Sequence, residues 1–277
     1  MQHHSTRTSR ILPAGGKTCA AAALALLLAA PWVAVADDGS PTNPDGIKPP
    51  LAETRPYGKT YGEWSAKWWQ WTMAFPSTAD PASNTAPPDS AQSGKVWFLA
   101  TAHGSVTVGG SATVTRSLTV PKGKALFFPV LSVIDDNTGC PSYNDPLLTA
   151  DQLAAQAADI FTAVSETTCT IDGVPVQGLA DPQHSPYRVQ SPAFTYTVAS
   201  HNNLLAAIFD GPCIPDGITV TPAVSDGVFL MLAPLSDGQH TIHFVGVVGP
   251  VASPFFFKDI IYNITVASGH GDGEDRD

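Results

Sequence analysis

Few residue types in this chain could carry chemistry, and each has an ordinary alternative. Arg116 interrupts an alternation in which Val106, Val108, Ala112, Val114, Leu118 and Val120 are apolar and nearly all intervening positions are Ser or Thr. A period of two puts alternate side chains on opposite faces of a strand, so Arg116 falls on the apolar face. An inward guanidinium needs partners. It is a structural anchor, a surface residue turned outward by a bulge after Gly110, or the arm of a site that binds an anionic group. Asp135, Asp136, Asn137 and Asp145 gather in one loop after an apolar strand. Such oxygen ligands suit Ca2+, which takes about six to eight. Their spacing does not follow the EF-hand loop, and turn and capping roles compete. Beyond the first 36 positions the histidines are His103, His184, His201, His240, His243 and His270. His240 and His243 lie three apart on a strand and face opposite ways, so they cannot chelate one metal by themselves. A composite metal or acid–base site would need His103 with one of the two.

The cysteines and the missing motifs narrow this further. Cys140 in TGCPS and Cys213 in GPCIP both occupy turn-forming sequence, which favours a disulfide between them and leaves Cys169 as a free thiol. Nothing near any cysteine resembles an arrangement that would activate a nucleophile. HExxH, CxxC, GxSxG, GxGxxG and the P-loop are absent after position 36. No cofactor is called for, and Ca2+ is the one metal the loop chemistry suits.

The elements that must position these residues begin after an expected leader. Arg7, Arg10 and Lys17 precede the apolar run from Ala20 to Ala30, and Ala34-Val35-Ala36 supplies a cleavage site, so 1–36 reads as a signal peptide. The expected product is exported, secreted or periplasmic. No later stretch is long and apolar enough to span a bilayer as a helix. Removing the leader's three basic residues from 14 leaves 11 against 24 acidic ones, a balance of −13 that disfavours nucleic acid as a partner. Residues 37–58 are crowded with Pro, Gly, Asp and Asn and read as a flexible arm. The acidic, Gly-rich stretch 268–277 reads as a disordered tail.

Between arm and tail the sequence predicts one β-sandwich domain, 59–267, antiparallel and jelly-roll-like, with helices near 60–75 and 149–165 packed on it. Four of the six tryptophans fall in TYGEWSAKWWQWTMAF. Thr60 and Glu63 form a capping box, and Lys67 stands one turn beyond Glu63 for an ordinary ion pair. Trp64, Trp68, Trp71 and Phe75 form one helical stripe, with Trp69 off it. Burying three such rings contributes on the order of 15 kcal/mol gross, which favours a role in packing over one in stacking on a ligand. Trp69 is the ring expected to stay partly exposed, beside a cleft with Arg116. Strand patterns follow at 96–101, 105–120 and 124–134, where Pro129 implies an edge or a bulge. Leu153, Ala157, Ile160, Phe161 and Val164 then recur at helical spacing. CTIDGVPV reads as a hairpin turning at Asp172-Gly173, RVQSPAFTYTVA as a strand, and NNLLAAIF as either helix or strand. GVFLMLAPL and QHTIHFVGVV read as a hairpin closed by Ser236-Asp237-Gly238, with FKDIIYNITVAS as the last strand.

The combination YGEWSAKWWQW, KVWFLA, RSLTVPKGKALFFPV and LMLAPLSDGQHTIHF resembles a group of secreted bacterial proteins across about Tyr57 to Val266. The resemblance implies export and a shared fold, and it carries no activity or catalytic residue with it. PLSDGQHTIHF also looks like a strand-turn-strand unit of Ig-like sandwiches. Two functions are then expected. One is a binding or structural protein that recognises a glycan or another cell-envelope component. The other is an extracellular hydrolase or lyase acting on a polymer, with Arg116, Asp135/Asp136 and His103 or His240 in one cleft.

Overall fold

In the first helix, the side chain of Thr60 accepts the Glu63 N–H at 3.1 Å while the Glu63 carboxylate accepts the Thr60 N–H at 2.7 Å. These two bonds start α1 (Tyr61–Met73) by satisfying N–H groups that a helix end leaves open. The carboxylate also pairs at 2.8 Å with Arg55, ahead of the helix, so the expected partnership with Lys67 is replaced. The computed structural model describes residues 43–48, 50, 54–102, 113–138, 147–209 and 214–267. The expected leader and tail, His103, Asp145, and the Cys140 and Cys213 pair lie outside the described residues.

The remaining elements are β1 (Ile47–Lys48), β2 (Val96–Phe98), β3 (Thr113–Pro121), β4 (Ala125–Asp136), α2 (Ala150–Phe161), β5 (Val164–Ile171), β6 (Val174–Pro175), β7 (Arg188–Gln190), β8 (Phe194–Thr197), α3 (Leu204–Phe209), β9 (Thr219–Leu232), β10 (Gly238–Val248) and β11 (Phe256–Ala267). Among the described residues they form two sheets. One runs β1-β9-β4-β2, with β7 and β8 also on β9, and the other runs β3-β11-β10-β5-β6. The result is the expected mainly β, sandwich-like body with helices. Between the sheets lie Leu126, Phe128, Leu230, Ile242, Phe244 and Ile260, all fully buried. Phe128 and Phe244 meet across the gap at 5.1 Å. The opposite face of the first sheet presents Phe127, Phe229 and Met231, which α1 covers with Trp68, Trp69 and Met73. No helix among the described residues is long and apolar enough to cross a membrane.

Two departures from the expected architecture, and one irregularity that the sequence implies, have local causes. The sheets are mixed, because β2 pairs with β4 and β3 pairs with β11 in parallel. Pro129 sits in the interior strand β4, where the register shifts between Pro129 and Leu131, so a bulge accommodates its missing N–H. The segments flanking Ser236-Asp237-Gly238 do not form a hairpin. β9 pairs with β4 in one sheet and β10 pairs with β5 and β11 in the other. β9 is buried on both faces from Ala223 to Leu232, which suits a sheet covered on both sides. β10 is one-sided, with Gln239 and Thr241 exposed, and pairing with β9 would have put that polar face under α1. The segment NNLLAAIF resolves as a short helix, with the Asn203 side chain accepting the Ala206 N–H at 2.7 Å.

Candidate functional site

Arg116 faces inward, as its alternation implies, and is 5% exposed. Its guanidinium is held by neutral groups: Nε donates to Asn84 Oδ1 at 2.7 Å, Nη1 to Ala100 O at 2.9 Å, and Nη2 to Ala82 O at 2.8 Å. Tyr262 stands beside it on the neighbouring strand, with the guanidinium 5.6 Å from the ring centre. Lys258, four residues before Tyr262, is buried on the same face. Its Nζ donates to Thr101 Oγ1 at 3.3 Å and lies 5.2 Å from the Phe256 ring centre. Burial, and then the nearby Arg116 charge, push the Lys258 amine down to about 8. Arg116 therefore joins the 82–84 turn, residue 100 and β11 as a structural anchor.

Asp135 and Asp136 are consecutive on β4 and so point to opposite faces. Asp136 accepts from Tyr196 Oη at 2.6 Å, and burial, with Asp135 adding, pushes it up to about 6 against the tyrosine's opposing effect. Asp135 is raised by burial as well, and its Oδ2 is buried without a hydrogen-bond partner. The Asn137 amide is engaged at both ends by Leu148, donating to its O at 2.7 Å and accepting from its N at 2.9 Å. Among the described residues no three His, Cys, Asp or Glu side chains gather to hold a metal ion. Phe128 meets Phe244, and a Cβ on Gly246 would meet Leu131, so β4 runs alongside β10 from the His240 end toward Val248. Asp135 and His240 therefore lie toward opposite ends of the sandwich, and with Arg116 spent internally the three share no cleft.

Trp69, expected at an exposed margin, is 8% exposed and packs edge-on against Trp68 at 5.1 Å. Phe194, Tyr196 and Val198 belong to the same cluster, so β8 closes over the side of α1 that the stripe left unexplained. Cys169 is a free, buried core thiol whose pKa burial pushes well up, which suits packing rather than reactivity.

A different group of residues does converge. Asp172 turns β5 into β6 with φ of 50°, followed by Gly173 at 79°, a pair of left-handed residues that a tight hairpin turn requires. Its Oδ1 accepts the Thr241 N–H at 2.7 Å, and its Oδ2 lies 2.7 Å from His240 Nδ1. On the other side of the ring, His240 Nε2 is 2.9 Å from Ser236 O and 3.3 Å from Ser236 Oγ. Burial works against charge on this imidazole, but the Asp172 carboxylate and the Ser236 carbonyl outweigh it and hold its pKa above the usual value. His240 thereby fastens the β5–β6 turn to the segment that crosses between the sheets. A cleft of about 400 Å3 opens beside this junction, lined by Asp45, Asp172, Ser236 and His240 over Ile171, Val174 and Leu235.

No protein family, curated protein or solved structure matches the chain. A second cleft, of about 420 Å3, is lined by Lys48, Thr54, Arg55, Pro56 and Tyr57 and has the opposite charge. His243 belongs to neither, since it pairs at 2.7 Å with Asp259 on the outer face of the second sheet. Sequence reasoning singled out His240 but missed Asp172 and Ser236 as its partners. Both looked like turn residues, and 68 positions separate His240 from Asp172.

Proposed function

We propose that this is an exported β-sandwich protein that binds a small polar component of the cell envelope or extracellular space, in the cleft beside His240. The observation carrying this reading is the convergence of two carboxylates, a hydroxyl and an imidazole above an apolar floor in a concave site of ligand size. The stripe supports it indirectly: Trp68 is buried, and the half-buried Trp64 and Trp71 donate their indole N–H groups to Pro56 O and Ser90 O and pack on Phe98, so these rings are engaged in packing. Export rests on the leader-like sequence at 1–36 and on the resemblance to secreted bacterial proteins.

One observation favours a hydrolase: Ser236 Oγ, His240 and Asp172 are arranged in the order of a Ser-His-Asp triad. The geometry works against it. His240 Nε2 lies closer to the Ser236 carbonyl, at 2.9 Å, than to the Ser236 hydroxyl, at 3.3 Å, so the nitrogen that would take the serine proton is engaged by a backbone oxygen. Binding is the better reading.

Val174 is 48% exposed at the cleft, so a Val174→Arg substitution should fill the cleft without disturbing the core. Titrating wild type and variant with soluble envelope fragments should show saturable binding that the variant loses at unchanged melting temperature. Equal binding by the folded variant would overturn this assignment.

A further inference from the structure

The polarity of the cleft narrows its ligand. Both ring nitrogens of His240 are engaged, Nδ1 by Asp172 and Nε2 by Ser236, so they offer nothing to a guest. Next to Ser236, Asp237 is paired with Lys122 at 3.0 Å. The lining side chains that remain to a ligand are acceptors, the Asp45 carboxylate and the outer lone pairs of Asp172, together with the Ser236 hydroxyl. Their charge does not balance. Two carboxylates face one imidazolium, and the deficit grows when that ring loses its proton. The floor is aliphatic, built from Ile171, Val174 and Leu235, and among the described residues no Trp, Tyr or Phe ring lines it on which a sugar face would stack. An exposed Val174 beside unbalanced carboxylates suits a guest with an apolar stem and a cationic head.

We propose that the cleft takes a primary ammonium group carried on an aliphatic stem, as in a lysine side chain or an alkyl amine. The inference rests on the cleft being the binding site. It also makes binding sensitive to pH. Around His240 stand Asp172 from the β5–β6 turn, Asp45 across the cleft, and the Asp237–Lys122 pair next to Ser236. Discharging the imidazole leaves Asp45 and Asp172 unopposed, so an ammonium binds more tightly as pH rises through the raised pKa of His240.

The test is amide chemical-shift titration of the whole folded chain at about pH 8 and about pH 5, on either side of the ordinary imidazole range. The probes are n-butylamine, an N-acetyl-lysine amide and glucosamine, each beside its uncharged counterpart: n-butanol, the Nε-acetylated lysine derivative and N-acetylglucosamine. The amines should move the amides of Val174, Leu235, Ser236 and Thr241 with affinity about tenfold or more above the neutral partners. Asp45→Asn should narrow that gap, and the lower pH should weaken amine binding several-fold. A response to glucosamine alone would overturn the aliphatic-stem proposal while leaving the cleft as the site. Equal responses to charged and neutral probes would overturn the ammonium requirement while leaving the cleft as the site. If no probe moves these amides, both the requirement and the cleft assignment fail.

Discussion

Arg116 shows how a cation is kept inside this sandwich: the guanidinium fork reaches three neutral acceptors on two separate loop segments. Replacing it with alanine leaves the Ala82 carbonyl and the Asn84 side chain without this donor, and leaves the Ala100 carbonyl with the Tyr262 hydroxyl alone. Stability should fall by about 3 kcal/mol or more, and Arg116→Lys should recover only part, because a compact ammonium cannot span the same acceptors. Urea denaturation checks this, and a loss under about 1 kcal/mol would show that the anchor is dispensable. Asp136 gives a prediction of different sign. Its folded pKa of about 6 lies above an ordinary carboxylate, so the folded state holds a proton more tightly than the unfolded chain. Stability from this group is gained as pH falls through 6 and is absent above it, by about 1 kcal/mol at pH 5 relative to pH 7. Asp136→Asn keeps an acceptor for Tyr196 and should flatten that part of the melting-temperature profile; an unchanged slope would contradict the burial effect. The inward position of Arg116 was legible from the Val114, Leu118 and Val120 alternation. Its acceptors were not, because they belong to loops whose carbonyl directions no side-chain pattern records.

At the scale of elements, α1 is the best-marked piece of the chain, and its packing depends on close approach. A Cβ on Gly62 would come within 2.5 Å of Gln190 O, so the first turn of the helix lies directly on β7. Gly62→Ala should push that turn away and cost about 2 kcal/mol despite alanine's better helix propensity. A variant as stable as wild type in thermal unfolding would mean that the contact yields freely. The capping box and the aromatic stripe announced the helix, whereas the burial of Trp69 depends on β8, a strand more than a hundred residues away. The β9–β10 connection was misread for a related reason. Strand-turn-strand patterning is the same whether two strands pair or part, and the choice lies in how many faces each must bury. The unbroken apolar run of β9 against the alternation of β10 was the available signal.

Across the whole molecule, one sheet is covered on both faces while the other keeps a polar face outward, and the cleft lies where the chain crosses between them at Ser236. Fold class and the main strands could be read from periodicity. The cleft could not, because it joins turns at residues 45, 172 and 236 that only the completed sheets bring together. The formal charge of −10 over the full chain agrees in sign with a cationic guest and is too diffuse to locate it. The central claim is that the tryptophan helix is architecture and that recognition belongs to the cleft. Mapping amide shifts over the described residues during titration with soluble envelope fragments tests it most directly. Changes should be confined to 44–46, 171–174 and 233–241, with the indole signals of Trp64, Trp68, Trp69 and Trp71 unmoved. Saturable changes centred on α1 with the cleft silent would contradict it.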